Sequence, residues 1–155
     1  MTSIKTRRVL LGAALTLLLP VAVQARDDHL RFPVAEGLAS AAAQRKIDKS
    51  IKLYWGTQKY PQPMRVIGEY TANTKTNAFN KSDKEACDWT FLSAVIELQG
   101  RAKSAGGNAV VDIRSVYRNS NLVSETDYEC GAGTFVAGVA LRGQVVKLPD
   151  GPPSP

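Results

Sequence analysis

The longest regular pattern in the chain lies in residues 82–113, SDKEACDWTFLSAVIELQGRAKSAGGNAVVDI. Ser82 and Glu85 have capping-box spacing, which predicts a helix from about Asp83 to Ala105. The glycines that follow Ala105 stand where a left-handed helix end is needed. Apolar residues recur at helical spacing and predict one core-facing stripe: Cys87, Phe91, Val95, Leu98 and Ala102.

Apolar and β-branched residues on both sides of this helix predict four strands. Two strands precede the helix, SIKLYWG at residues 50–56 and MRVIGEYTA at residues 64–72. Two follow it, NAVVDIRSVYR at residues 108–118 and TFVAGVALRGQVVKL at residues 134–148. This order predicts an α+β fold of two layers, in which one long helix packs on a small, mostly antiparallel sheet.

The first residues predict an export signal. Residues 1–25 begin with basic side chains, continue with an apolar run and end in small residues at Val23 and Ala25, which predicts cleavage after Ala25. The apolar run is interrupted by Pro20 and is shorter than the ~20 residues of a spanning helix. No cysteine follows it, which favours a soluble periplasmic product over a lipid-anchored one. The leucine-rich centre favours Sec export over the twin-arginine route, which TRRVLL at residues 6–11 matches in part.

The remaining boundaries follow from composition. Residues 26–49 begin polar and contain AEGLASAAAQRK, which predicts an N-terminal arm, either a short helix or a loosely packed segment. Residues 50–148 hold the predicted strands and the long helix and form one folded domain. Residues 149–155, PDGPPSP, cannot build a sheet and are predicted to be a disordered tail.

Cys87 and Cys130 are the two cysteines of the chain, and an even number in an exported protein predicts a disulfide. Closing the long loop between them would stabilise the fold by about 4 kcal/mol. Cys130 stands in ETDYECGAGTF at residues 125–135, where Gly131 and Gly133 allow the backbone to approach the helix closely. The bond would thus staple the helix to the sheet. Two unpaired buried thiols are the alternative.

Four segments resemble the group of RcsF and YbjQ-like domains: KLYWG, MRVIGEYTA, RAKSAGGNAVVDI and YECGAGTFVAGVALRG. In that group, a strand with an xGE turn precedes a long helix that ends in A(K)xxGANAV, and a strand and a final strand rich in small residues follow. The similarity covers about residues 50–148. It implies a small α/β domain and, on the RcsF side, an envelope-stress sensor that contains disulfides and works through protein contacts.

The chain also departs from that group. RcsF-like sensors have four cysteines and a lipidated N-terminus, whereas this chain has two cysteines and a plain signal. Cys130 corresponds to the family cysteine before the last strand, while Cys87 lies further along than the family pattern. The YbjQ side is described as heavy-metal binding, for which this sequence offers no histidine or cysteine cluster. Similar exported chains carry the description "excinuclease ATPase subunit", but no GxxxxGK[ST] motif occurs here.

Charged residues suggest two further candidate sites. A Cys87–Cys130 bond would bring six carboxylates toward one end of the domain, which predicts a site for a hard cation such as calcium or an acidic patch for a basic partner. Alternatively, these acids serve the helix N-terminus and a solvated strand face. The six are Asp83, Glu85, Asp88, Glu125, Asp127 and Glu129. Arg114 and Arg118 share a predicted strand face and could clamp an anion, with a solvated face as the alternative.

Composition argues against several function classes. His29 is the single imidazole of the chain and CxxC is absent, which speaks against histidine- or cysteine-based catalysis. A catalytic carboxylate pair would need a cleft for which a domain this small has little room. Removal of residues 1–25 would lower the formal net charge from +6 to +3, because they hold three basic and no acidic residues. Without a long basic run, nucleic-acid binding has no support.

Together, these patterns predict an exported, non-enzymatic binding or sensing domain without a cofactor. It would act through protein or envelope contacts, in envelope stress sensing or maintenance. The expected partner is an envelope or periplasmic protein, with no nucleic acid and no membrane anchor after signal cleavage. The alternative function is a divalent-cation-binding module that uses the six carboxylates.

Overall fold

A computed structural model describes residues 26–150. The predicted signal peptide and residues 151–155 of the predicted tail lie outside the described residues. In chain order, the elements are β1 (Asp27–Pro33), α1 (Val34–Ala39), α2 (Ala41–Lys46), β2 (Lys52–Trp55), β3 (Arg65–Asn77), α3 (Asp83–Ser104), β4 (Ala109–Ser115), β5 (Asp127–Gly133) and β6 (Val136–Lys147).

The last strand, β6, organises the sheet. β3 pairs with one side of β6 along its whole length, and the other side is shared by β5 near the start and β4 further along. β1 lies outside β5, and β2 lies outside β4. The β2–β4 pairing is parallel and the others are antiparallel. The predicted mixed α+β fold with a mostly antiparallel sheet is therefore confirmed.

The long helix α3 packs on one face of this sheet, as predicted. The Ser82 side chain accepts a hydrogen bond from the Glu85 N–H at 3.2 Å and caps the helix. The helix ends at Ser104, and Gly106 follows with a left-handed φ of 76°. All five residues of the predicted stripe are buried against the sheet: Cys87, Phe91, Val95, Leu98 and Ala102.

Two strands, β1 and β5, were not predicted. β1 carries three charged side chains and β5 contains glycines and acids, which have a low strand propensity. Pairing between the two strands, from Asp27 opposite Gly133 to Pro33 opposite Asp127, overrides that propensity. The predicted N-terminal arm, residues 26–49, thus contributes β1, α1 and α2 rather than a single short helix or a loose segment.

β3 and β6, which pair with each other, also differ from their predicted form. β3 extends to Asn77, beyond its predicted end at Ala72, because β6 continues to pair with the polar residues that follow. Phe135, inside the strand predicted from residue 134, is 64% exposed and precedes the first residue of β6. The β3–β6 strand pair is therefore longer than its apolar pattern, and an exposed aromatic side chain lies at its end.

Gln99 is a buried polar side chain that holds the α2–β2 connection onto α3. Its exposed fraction is 3%. Its oxygen accepts the Asp48 N–H at 3.0 Å, and its amide nitrogen donates to the carbonyl groups of Asp48 and Ile51 at 2.9 and 3.1 Å. One side chain therefore satisfies three backbone groups of this connection.

We expect Gln99→Leu to lower the free energy of unfolding by about 1–3 kcal/mol, because these backbone groups lose their partner. Urea unfolding measures the difference. Gln62→Leu, at an exposed position, is the matched control and should leave the unfolding midpoint almost unchanged. Equal effects of the two variants would contradict the structural role of Gln99.

Candidate functional site

The predicted disulfide is present. Cys87 in α3 and Cys130 in β5 are bonded, with a Cα–Cα distance of 5.9 Å, and both are fully buried. The bond joins the first turns of the helix to a strand whose pairing with β6 covers two residue pairs. The interpretation of Cys130 as a structural residue that ties the helix to the sheet is therefore confirmed.

The six predicted acids do not converge around this bond. Side chains alternate along β5, so that Tyr128 and Cys130 face α3 while Glu129 faces the opposite side of the sheet. Glu129 is 8% exposed, accepts a hydrogen bond from Ser120 and lies 3.5 Å from His29 Nδ1. The disulfide thus leaves this carboxylate on the far face of the sheet from α3.

The other acids have partners of their own. Asp83 forms an ion pair with Arg26. Glu125 accepts a hydrogen bond from the Thr57 hydroxyl, and Asp127 accepts one from Thr126. Glu85 is exposed at the start of α3. Within residues 26–150, no group of three His, Cys, Asp or Glu side chains is placed to hold a metal ion. The expectation of a shared cation site is therefore corrected.

Asp88, near the start of α3, accepts hydrogen bonds from two side chains. Its carboxylate accepts the Tyr128 hydroxyl at 2.9 Å and the Lys84 ammonium at 2.9 Å. Burial, followed by the hydrogen bond to Asp88, raises the pKa of Tyr128 above its usual range. The phenol therefore stays neutral and donates to Asp88, which gives this carboxylate a structural role.

Ser120 and His29 both contact the carboxylate of Glu129. Sequence reasoning missed this group of a serine, a carboxylate and a histidine because His29 lies far from the other two residues in the sequence. Glu129 lies between the other two, since it contacts both Ser120 and His29. A catalytic triad needs the imidazole in the middle, where it can take the proton of the serine hydroxyl. The arrangement here is therefore that of a buried carboxylate that accepts a hydrogen bond from Ser120 and lies beside His29.

The predicted clamp of Arg114 and Arg118 is also corrected. Residues 117–120 form a tight turn in which the Ser120 N–H donates to the Tyr117 carbonyl at 2.9 Å, and φ is positive at Arg118 (45°) and Asn119 (65°). These dihedral angles are those of a type I′ turn. The turn directs Arg118 to an ion pair with Asp27 and away from Arg114.

Arg114 instead meets Arg142, directly opposite it on β6. A β-bulge between Val111 and Arg114, with φ of 53° at Asp112, shifts the alternation of β4. Consequently, Val110 and Ile113 both join the core beneath α3, and Arg114 shares the opposite face with Arg142. A regular strand would place Val111 and Ile113 on one face, and the bulge separates them.

Two features at the sheet edge stand out as interaction surfaces. β3 is 13 residues long and pairs with β6 alone among the described strands. Phe79 and Phe135 stack at the end of the β3–β6 strand pair, with ring centroids 5.9 Å apart, and are 54% and 64% exposed. Val136 beside them is 51% exposed. We call Phe79, Phe135 and Val136 the aromatic tip.

Comparison with known proteins adds no relative: no protein-family model, no curated protein and no solved structure matches the chain. Among residues 26–150, no helix combines the length and apolar character that crossing a membrane requires.

Proposed function

We propose that this protein is an exported, non-enzymatic binding domain that acts through contact with an envelope protein. The observation that carries the proposal is the open edge of β3. The partner contributes an extended segment that pairs with this edge, and the aromatic tip holds an apolar side chain of the same partner. Resemblance to RcsF and YbjQ-like domains, the predicted signal peptide and the disulfide support this role, in envelope stress sensing or maintenance.

The backbone of β3 has hydrogen-bonding groups available for such pairing. The Ala78 N–H donates to the Phe135 carbonyl at 2.9 Å, and the register continues with Thr76 opposite Ala137 and Thr74 opposite Val139. Because backbone groups alternate along a strand, those of Thr71, Asn73 and Lys75 point away from β6. These are the groups that an added strand would meet.

Natural proteins usually protect a long edge strand with proline, lysine or bulges. β3 has no proline, and its bulge lies near its start, between Val66 and Gly68. From Glu69 to Asn77 it pairs with β6 in unbroken register, with Lys75 as its single lysine. A smooth edge of this length, which ends at an exposed aromatic pair, favours addition of a partner strand.

Proline at position 71 tests this proposal. Its ring removes the outward Thr71 N–H but no backbone bond to β6, so the fold should be retained. The hydrogen bond from Arg142 Nε to the Thr71 hydroxyl is lost in Thr71→Pro and in Thr71→Ala alike, so the two variants differ in the N–H. We expect a photo-crosslinking residue at Asn73, in intact cells, to capture a defined envelope protein. Thr71→Pro should reduce that crosslink about tenfold, which corresponds to roughly 1.4 kcal/mol of lost pairing.

Two controls make the outcome decisive. Thr71→Ala keeps the N–H and should retain the crosslink, and a crosslinker at Glu97, on the exposed side of α3, should not capture the same protein. The proposal fails if the crosslink survives Thr71→Pro, or if Asn73 and Glu97 capture the same proteins. A crosslink between two copies of this chain would mean that β3 pairs with a second copy, and the proposal of an envelope partner would then be wrong.

A further inference from the structure

We infer that the face of the sheet opposite α3 carries a binding site for a phosphomonoester, formed by Arg114 and Arg142. This inference does not depend on the pairing of β3 with a partner. The two arginines lie directly opposite each other on neighbouring antiparallel strands. Like charges in this position repel each other and destabilise a sheet, so an anion between them would relieve the repulsion.

The carboxylate of Glu69 on β3 partly relieves the repulsion between the two arginines. Its carboxylate lies 2.8 Å from Arg114 Nη2 and 3.8 Å from Arg142 Nε. One carboxylate thus serves two guanidinium groups and leaves the cluster with one uncompensated positive charge. The Glu69 side chain is 47% exposed, so it can swing into solvent when a stronger anion enters.

The cluster lies at a wide, open cavity on this face of the sheet. The cavity has a volume of about 630 Å³, and the turn after β4 forms its other wall. Its lining residues are Arg114, Val116, Asn119, Ser120, Asn121, Val123 and Arg142. The Arg114 side chain is 22% exposed, and its partial withdrawal from water strengthens its attraction to an anion.

The chemistry of the lining indicates the ligand class. Guanidinium groups donate two parallel hydrogen bonds to phosphate oxygens, and two such groups balance the two negative charges of a phosphomonoester. Asn119 and Asn121 add amide donors and acceptors at the rim. The cavity is larger than a bare phosphate and lies within the usual range for small-molecule sites, which leaves room for the group that carries the phosphate.

Calorimetric titration of the purified exported protein with glycerol 3-phosphate tests the site. We expect Arg114→Gln and Arg142→Gln each to weaken binding about tenfold or more, because each removes a charge-assisted hydrogen bond. Glu69→Gln should tighten binding, since it removes the competing carboxylate. Arg101→Gln, on the exposed side of α3, changes the net charge equally and should leave the affinity unchanged.

Vesicles distinguish the source of the phosphate. Cosedimentation with phosphatidic acid vesicles, absent with phosphatidylcholine and lost in Arg142→Gln, would assign the site to a lipid headgroup. Binding of glycerol 3-phosphate alone would assign it to a soluble ligand. Binding of neither probe overturns the inference, as does an equal loss in Arg101→Gln or weaker binding in Glu69→Gln. Near-UV circular dichroism of each variant verifies that its fold is intact.

Discussion

A variant in which both Cys87 and Cys130 are replaced by alanine should lose about 4 kcal/mol of unfolding free energy, according to the chain-entropy model of a long disulfide loop. The two residues are 43 positions apart in sequence. A loss of this size is a large fraction of the ~5–15 kcal/mol that stabilises a typical domain. Urea unfolding of the variant and the wild type measures it.

Without the bond, the ribbon of β1 and β5 should also open locally more often than the rest of the sheet. This ribbon joins β6 through two residue pairs, Gly131 with Gly138 and Ala132 with Ala137. Hydrogen exchange should therefore speed up most at the amides of β1 and β5. As a control, reductant should destabilise the wild type by a similar amount and leave the alanine variant unaffected. An unchanged unfolding midpoint in the variant would contradict the bracing role.

Phe91→Ala is expected to be equally severe, with a loss of about 3–5 kcal/mol. Phe91 is fully buried, and its ring stacks on Tyr128 with centroids 4.0 Å apart and lies 5.6 Å from Trp55. Its removal opens a cavity between α3, β5 and the end of β2. Phe91→Leu, which fills most of the space, is the control and should have a smaller effect in the same urea experiment.

Gly37 in α1 extends this test to the predicted arm. A Cβ at Gly37 would lie 2.7 Å from the Phe91 ring, so Gly37→Ala alone should destabilise the domain. Combined with Phe91→Leu, its cost should fall, because the smaller side chain leaves room for the methyl group. Strictly additive effects would mean that α1 does not pack on Phe91.

Sequence reasoning succeeded where local patterns were strong. The cap at Ser82 and the helical spacing from Cys87 to Ala102 predicted α3 and its buried face, and the even number of cysteines together with the predicted export signal predicted the disulfide. It failed for β1 and β5 because their stability comes from pairing between residues about 100 positions apart, such as Asp27 and Gly133. No local propensity reports such a contact.

The site predictions failed for a related reason. The acids of β5 were grouped by closeness in sequence, although the period of two along a strand puts Glu129 and Cys130 on opposite faces. That separation follows only once β5 is known to be a strand, which its local sequence does not indicate. The pairing of Arg114 with Arg142 could not be predicted either, because it depends on the register of β4 with β6 and on the bulge at Asp112.

The central position of β6 has a consequence for the order of folding. Among the described strands β6 is synthesised last, yet it pairs with β3, β4 and β5. Before residues 136–147 emerge, the parallel β2–β4 ladder and the β1–β5 ribbon are the parts of the sheet that can form. The loops that must close are long, which slows folding. The hydrophobic layer beneath α3 therefore remains incomplete until residues 136–147 have been added, and β6 completes it.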